Sequence, residues 1–149
     1  MATSVRPVRS ALYERDFAAW AKAQAEALRA GRLDALDLAH LAEEIGDLSN
    51  RERDALESHL ETLVLHLLKW RHQPDQRSRS WEAIIKVARR NVAKLLRRSP
   101  SLRRGLPAAL DEIYPNARTR AGAETGLPDN AFPDACPFSA DQVTGEWMP

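Results

Sequence analysis

Apolar residues recur along the chain at the three- and four-residue spacing that is typical of helices. In the first stretch Phe17, Trp20 and Leu28 share one side, and Gly31 follows where a helix would end. A second stretch carries Leu38, Leu41, Ile45 and Leu48. The spacing predicts one helix over 17–28 and a second that starts near Asp37 and ends near 46–50.

A third apolar stripe runs from Leu56 to Leu68 and stops before Pro74, which cannot donate an amide to a continuing helix. Ser49 and Glu52 have the spacing of a capping box, which favours a new helix at that point. The alternative is that the second and third stripes form one long helix without a break.

Two further helices are predicted after Pro74. Ser80 is placed to cap a fourth helix, which Ser99 and Pro100 close, and its stripe contains Trp81, Ile84, Ile85, Ala88, Val92, Leu95 and Leu96. A fifth helix starts at Ser101. No alternating pattern long enough for a strand occurs.

These patterns predict an all-α, single-domain bundle of about five helices. We expect an N-terminal tail over 1–11, the helical domain over 12–126, and a proline-rich, extended segment over 127–149 that packs on the domain.

Composition narrows the protein class. The chain has 149 residues, of which 44% are hydrophobic and 29% charged, as in globular helical proteins. Cys136 is the only cysteine, so no intramolecular disulfide forms, and the start of the chain lacks a secretory signal. The longest nearly apolar run is far too short to span a membrane. We therefore expect a cytoplasmic protein without a membrane partner.

The formal net charge of +1 hides a strong segregation of charge. Residues 69–104 carry twelve basic side chains against only Asp75 and Glu82, while the flanking segments are acidic. This basic stretch either contacts the phosphates of a nucleic acid or packs beside the acidic flanks of the same chain or of a second copy, which we favour. The candidate nucleic-acid contacts are Lys86, Arg89, Arg90, Lys94, Arg97 and Arg98.

No residue pattern points to catalysis. His59 and His66 lie seven residues apart, about 10 Å along a helix, which is too far for one metal ion. Phosphate-binding glycine loops and nucleophile motifs are absent. We therefore assign no catalytic residue and expect no metal or cofactor.

The chain carries an ordered series of short motifs. They include Leu12-Tyr13 with Asp16 and Trp20, Leu36-Asp37, Glu43-Glu44-Ile45, His66 to Trp70 with Gln73-Pro74, Ser80-Trp81, Pro100 to Leu102, Glu124 to Leu127, Phe132-Pro133 and Cys136 to Phe138. Through these motifs the chain resembles the bacterial Domain of Unknown Function 29 family. The resemblance implies an all-helical domain and supplies no reaction, substrate or cofactor.

These motifs also mark a candidate cluster around the Pro74 loop: Glu44, His66, Lys69, Trp70, Gln73, Ser80 and Trp81. Glu44 joins it only if the second predicted helix folds back on the third. The cluster is either a polar network that fixes the helix pairing, which we favour, or a small binding site. For the whole protein we predict a non-catalytic domain that binds another protein or itself through a charge-segregated or aromatic surface.

Overall fold

A computed structural model describes the backbone of residues 8–149 and the side chains of residues 11–149. Within this range the α-helices are α1 (Val8–Arg15), α2 (Phe17–Arg29), α3 (Leu38–His72), α4 (Arg79–Arg98), α5 (Leu106–Thr125) and α6 (Ala140–Thr144). Short 3-10 turns cover Leu33–Ala35, Pro74–Gln76, Pro100–Gly105 and Asp129–Ala131. The described residues form no strand, so the predicted all-α class is confirmed.

The predicted N-terminal tail is described only in part. Residues 1–7 lie outside the described residues, and α1 already begins at Val8 within the segment that we predicted as a tail. The C-terminal segment that we predicted as extended contains a 3-10 turn and α6. Phe132, Phe138 and Val143 of that segment are buried.

The second and third predicted helices are one continuous helix, α3, of 35 residues. Ser49 and Glu52 therefore lie in the middle of a helix and do not cap one. Gly46 costs only about 1 kcal/mol in a helix interior. That cost is too small to break a helix whose later turns are packed in a core.

The prediction that Ser80 caps the fourth helix is wrong. α4 begins at Arg79, and the Oγ of Ser78 accepts a hydrogen bond from the amide of Trp81 at 3.2 Å. Ser78 is extended, the conformation that aims its hydroxyl at the free amides of the first turn. Ser80 lies inside that first turn and is exposed.

The fifth helix also starts later than we predicted. The chain forms a 3-10 turn over Pro100–Gly105, and α5 begins at Leu106. Pro107 then falls in the first helical turn, where its missing amide hydrogen costs no intrahelical bond. Gly126, with φ of 73°, ends α5 in the left-handed conformation that favours glycine.

The chain divides into two compact units, Met1–Asn50 and Arg51–Pro149. The second unit holds a continuous apolar core of side chains from α3, α4, α5 and the C-terminal segment. In the described part of the first unit, the buried apolar residues are Trp20 and Ala27. No described helix has the length and apolar character needed to cross a membrane.

Candidate functional site

Lys69 is at the centre of the predicted cluster. It lies near the end of α3 and is only 8% exposed. Its Nζ donates to Oε2 of Glu124 on α5 at 2.8 Å and lies 4.6 Å from the centroid of the Trp81 ring on α4. The hydrogen bond from Lys69 lowers the pKa of the Glu124 carboxyl. A buried ammonium is tolerated only with such partners, so this contact ties three helices together.

His66 of α3 and Gln73, the residue that directly follows α3, add further hydrogen bonds. Nδ1 of His66 is 2.8 Å from the carbonyl oxygen of Thr62, and burial lowers the pKa of the imidazole. The ring is therefore neutral near pH 7, with its Nδ1 hydrogen donated to that carbonyl. Nε2 of Gln73 donates to the carbonyl oxygen of Thr125 at 3.2 Å, which joins α3 to the end of α5.

Trp70 is half-buried against the core of the second unit. The guanidinium of Arg77 lies 5.0 Å from the centroid of its ring, and Nε of Arg77 donates to the Trp70 carbonyl oxygen at 2.9 Å. These contacts fix the Pro74 turn against the end of α3.

Glu44 does not meet the condition under which we placed it in the cluster. Residues 38–72 form one helix, so the segment that carries Glu44 does not fold back on the segment that carries His66. Oε1 of Glu44 instead accepts a hydrogen bond from the Tyr13 hydroxyl at 2.5 Å within the first unit. This bond raises the pKa of Tyr13 to about 12.

The first unit contains an aromatic and polar cluster that we did not predict. The Tyr13 ring stacks on the His40 ring with centroids 3.8 Å apart and meets the Trp20 ring edge-on at 4.8 Å. Asp37 joins these groups, because its Oδ2 accepts from Nε1 of Trp20 at 3.1 Å and lies 2.7 Å from Nδ1 of His40.

Asp37 is almost fully buried, and its backbone amide donates to Oε1 of Gln24 at 2.7 Å. Burial alone would raise the pKa of its carboxyl, but the hydrogen bonds from His40 and Trp20 outweigh burial and lower it. The carboxylate is therefore charged at neutral pH and holds α2 to the start of α3. A signal for this cluster was present in the sequence, since Tyr13, Trp20, Asp37 and Glu44 all belong to the motifs of the family resemblance.

Some side chains of the basic segment 69–104 have hydrogen-bond or ion-pair partners, and others are exposed without a carboxylate nearby in the described part of the chain. Arg89 donates to the carbonyl oxygens of Gln142, Val143 and Trp147, so its guanidinium holds the C-terminal segment. Lys86 pairs with Glu82 at 2.8 Å, and Arg98 lies 3.7 Å from Glu52. Arg90, Lys94 and Arg97 are exposed. Within residues 11–149 these three have no carboxylate at ion-pair distance.

Exposed large apolar side chains are concentrated in the first unit. Phe17, Leu28, Leu33, Leu38, Ile45 and Leu48 belong to it, whereas Val87 and Trp147 are the corresponding residues described in the second unit. The shorter unit therefore holds six of the eight large apolar side chains that are exposed in the described part of the chain. Where such residues form a contiguous patch, they are the usual mark of a binding surface.

At the start of α3, one half of the helix circumference is uncharged and largely exposed. At about 100° per residue, this half carries Leu38, Ala39, Leu41, Ala42, Ile45, Gly46, Leu48 and Ser49. We call this surface the α3 face. Glu43, Glu44 and Asp47 lie on the other half. Leu38 is 70% exposed and Ile45 65% exposed.

Comparison with models of known protein families shows to which family the chain belongs. The profile of one family matches residues 12–148, nearly the whole chain. The chain belongs to the family described as domain of unknown function DUF29. The resemblance seen in the motifs is thereby confirmed. No curated protein and no solved structure matches this DUF29 chain.

The chemistry of the DUF29 chain is limited by what its described residues bring together. No group of three or more His, Cys, Asp and Glu side chains within residues 11–149 is placed to hold a metal ion. The Cys136 thiol is half-buried, and burial raises its pKa, which disfavours the nucleophilic thiolate. The site features that remain are the apolar α3 face, the two polar clusters and the exposed cations of α4.

Proposed function

We propose that this DUF29 protein acts by binding a protein through its α3 face, and that the partner is a second copy of the chain. The observation that carries the proposal is the concentration of exposed apolar side chains on the first unit. The sequence led us to expect a charge-segregated or aromatic binding surface. The apolar α3 face is the better candidate, because exposing it to water is unfavourable.

The chemistry of the face favours self-association. Two copies of an uncharged face meet without repulsion between like charges, since Glu43 and Asp47 lie on the other half of the helix. Ala42, Gly46 and Ser49 are small and allow a second helix to approach closely. A face that pairs with itself gives a closed, twofold dimer.

The expected affinity is modest. Burying the exposed parts of Leu38, Ile45 and Leu48 in both copies contributes on the order of 8 kcal/mol. Association costs about 4–15 kcal/mol in lost freedom of motion. If Phe17, Leu28 and Leu33 bury additional apolar surface in the dimer, we expect a dissociation constant from roughly 1 µM to 1 mM. We place this association in the cytoplasm, since the lone Cys136 forms no intramolecular disulfide.

Sedimentation equilibrium of the full chain over a range of concentrations tests the proposal. We expect the wild type to move from monomer to dimer and Ile45→Glu to stay monomeric, because the new carboxylate would be desolvated in the interface. Ala23→Glu is the matched control, since it adds the same charge at an exposed position of α2, outside the α3 face. A wild type that stays monomeric at millimolar concentration, or an Ile45→Glu variant that dimerises normally, would overturn the proposal.

Nucleic-acid binding is the second candidate, and the exposed cations Arg90, Lys94 and Arg97 are the observation that favours it. Arg89 supports it less, since its guanidinium already donates to three carbonyl oxygens. Phosphate binding would weaken log-linearly with salt, whereas an apolar dimer would not. Nucleic acid that co-purifies and is lost when the three exposed cations are neutralised together would establish this second function.

A further inference from the structure

A cavity of about 620 Å³ lies in the second unit, between the end of α3, one side of α4 and the C-terminal segment. Its apolar walls are Trp70 of α3, Ile85 of α4 and Met148 near the C-terminus. The volume falls within the range of small-molecule sites in proteins. The contacts already described do not fill it.

Of the three basic side chains that line the cavity, two interact with acidic side chains of the described residues and one, Arg90, does not. Lys86 is paired with Glu82 at 2.8 Å. Arg89 is held by the carbonyl oxygens of the C-terminal segment and interacts electrostatically with Glu146. Arg90 is exposed and has no carboxylate at ion-pair distance within residues 11–149.

We propose that this cavity binds a small monoanion with a flat apolar body. Arg90 would take the anionic group, because a guanidinium donates two parallel hydrogen bonds to a carboxylate, sulfonate or phosphate. Trp70 and Ile85 supply the apolar wall against which the body packs. Arg89 acts as a positioning residue, since its bonds to the carbonyl oxygens of Val143 and Trp147 hold the wall that carries Met148.

Two dyes that differ in one group test the site on the purified full chain. 8-Anilinonaphthalene-1-sulfonate carries an anion on an aromatic body, and N-phenyl-1-naphthylamine has the same body without the sulfonate. We expect the wild type to bind the anionic dye saturably, with fluorescence enhancement. Arg90→Glu should weaken that binding about tenfold or more, because attraction at the anionic group becomes repulsion. Binding of the uncharged dye should be unaffected.

Lys94→Glu is the matched control, since it reverses an exposed cation one turn further along α4, outside the cavity lining. It should leave both affinities unchanged. The indole N–H signal of Trp70 in a nuclear magnetic resonance spectrum should shift with the anionic dye, and a Trp70→Phe variant assigns that signal.

Three results would overturn the proposal. One is an equal loss of binding in Arg90→Glu and Lys94→Glu, which would indicate a diffuse charge effect. Another is a Trp70 signal that does not move at saturation. The third is loss of dye binding in Ile45→Glu alone, which would place the dye on the α3 face. The dimer is tested by sedimentation equilibrium and the cavity by the Arg90 and Trp70 variants, so the two proposals fail separately.

Discussion

The two units of the chain bury their side chains in opposite ways. The second unit has a core of fully buried leucines and other apolar residues drawn from four segments. The described part of the first unit buries Trp20, Ala27, Gln24 and Asp37, whereas six of its other large apolar side chains are exposed to solvent. The second unit is therefore held mainly by apolar burial, and the first by a few polar and aromatic contacts around Asp37.

This difference implies that the two units have different roles, with the second unit supplying most of the stability and the first supplying the binding surface. A unit with little buried apolar surface opens more easily than one with a dense core. The same unit keeps apolar surface available for a partner, which would stabilise it by mass action. We therefore expect the first unit to be the less stable part of the isolated chain and the part that gains most from dimerisation.

The largest expected effect comes from the core of the second unit. Leu65 is fully buried in α3, and Leu65→Ala should lower the free energy of unfolding by about 2–5 kcal/mol, since it removes packed atoms and leaves a cavity. Leu33 of the first unit is 72% exposed. Leu33→Ala should change the unfolding free energy by less than about 0.5 kcal/mol. Urea denaturation of both variants at low protein concentration measures the contrast, and comparable losses would contradict it.

The next effect concerns the polar contacts of the first unit. Asp37→Ala removes the acceptor for Trp20 and the partner of His40, and it leaves the buried Trp20 indole N–H without a bond. We expect this variant to lower the free energy of unfolding of the first unit by about 1–3 kcal/mol. Hydrogen exchange should show that loss in the amides of α2, with those of α4 unchanged.

Asp47→Asn is the control for this variant, because it removes an exposed carboxylate from α3 within the first unit. If Asp37→Ala exposed the amides of α4 as much as those of α2, the two units would not be separately stabilised.

The smallest expected effect is a pH dependence of the second unit. Burial lowers the pKa of both His66 and His72. Each contributes stability that is fully present above the unfolded-state value of about 6.5 and is lost as the pH falls through the folded value. We expect the midpoint of urea unfolding to fall as the pH drops below about 6.5. His66→Gln should flatten this dependence, and an unchanged pH profile in that variant would contradict the assignment.

The sequence predicted the parts of the fold that local patterns determine. The stripes of α2, α4 and α5 follow from helical spacing, and the long apolar stripe of α3 marks the core of the second unit. The sequence did not decide whether α3 breaks at Ser49, because a capping-box spacing also occurs inside helices. It placed the cap of α4 at Ser80, two residues after the actual cap Ser78, because Ser80 directly precedes the apolar stripe.

The candidate site was predicted less well, because its contacts join residues far apart in the chain. Lys69 and Trp81 were grouped from their positions around Pro74, but Glu124, the ion-pair partner of Lys69, lies 55 residues away and was not assigned to the cluster. The contact between Tyr13 and Glu44 spans 31 residues. No local pattern specifies such pairs, although the family motifs contained both members.

Hydrogen exchange of the full chain, measured at a low and at an about hundredfold higher protein concentration, shows directly whether the first unit forms the binding surface. We expect the amides of residues 38–49 to become more protected at the higher concentration, while those of α4 and α5 do not change. Protection that is independent of concentration, or that increases in α4 instead, would contradict the claim that the first unit forms the binding surface.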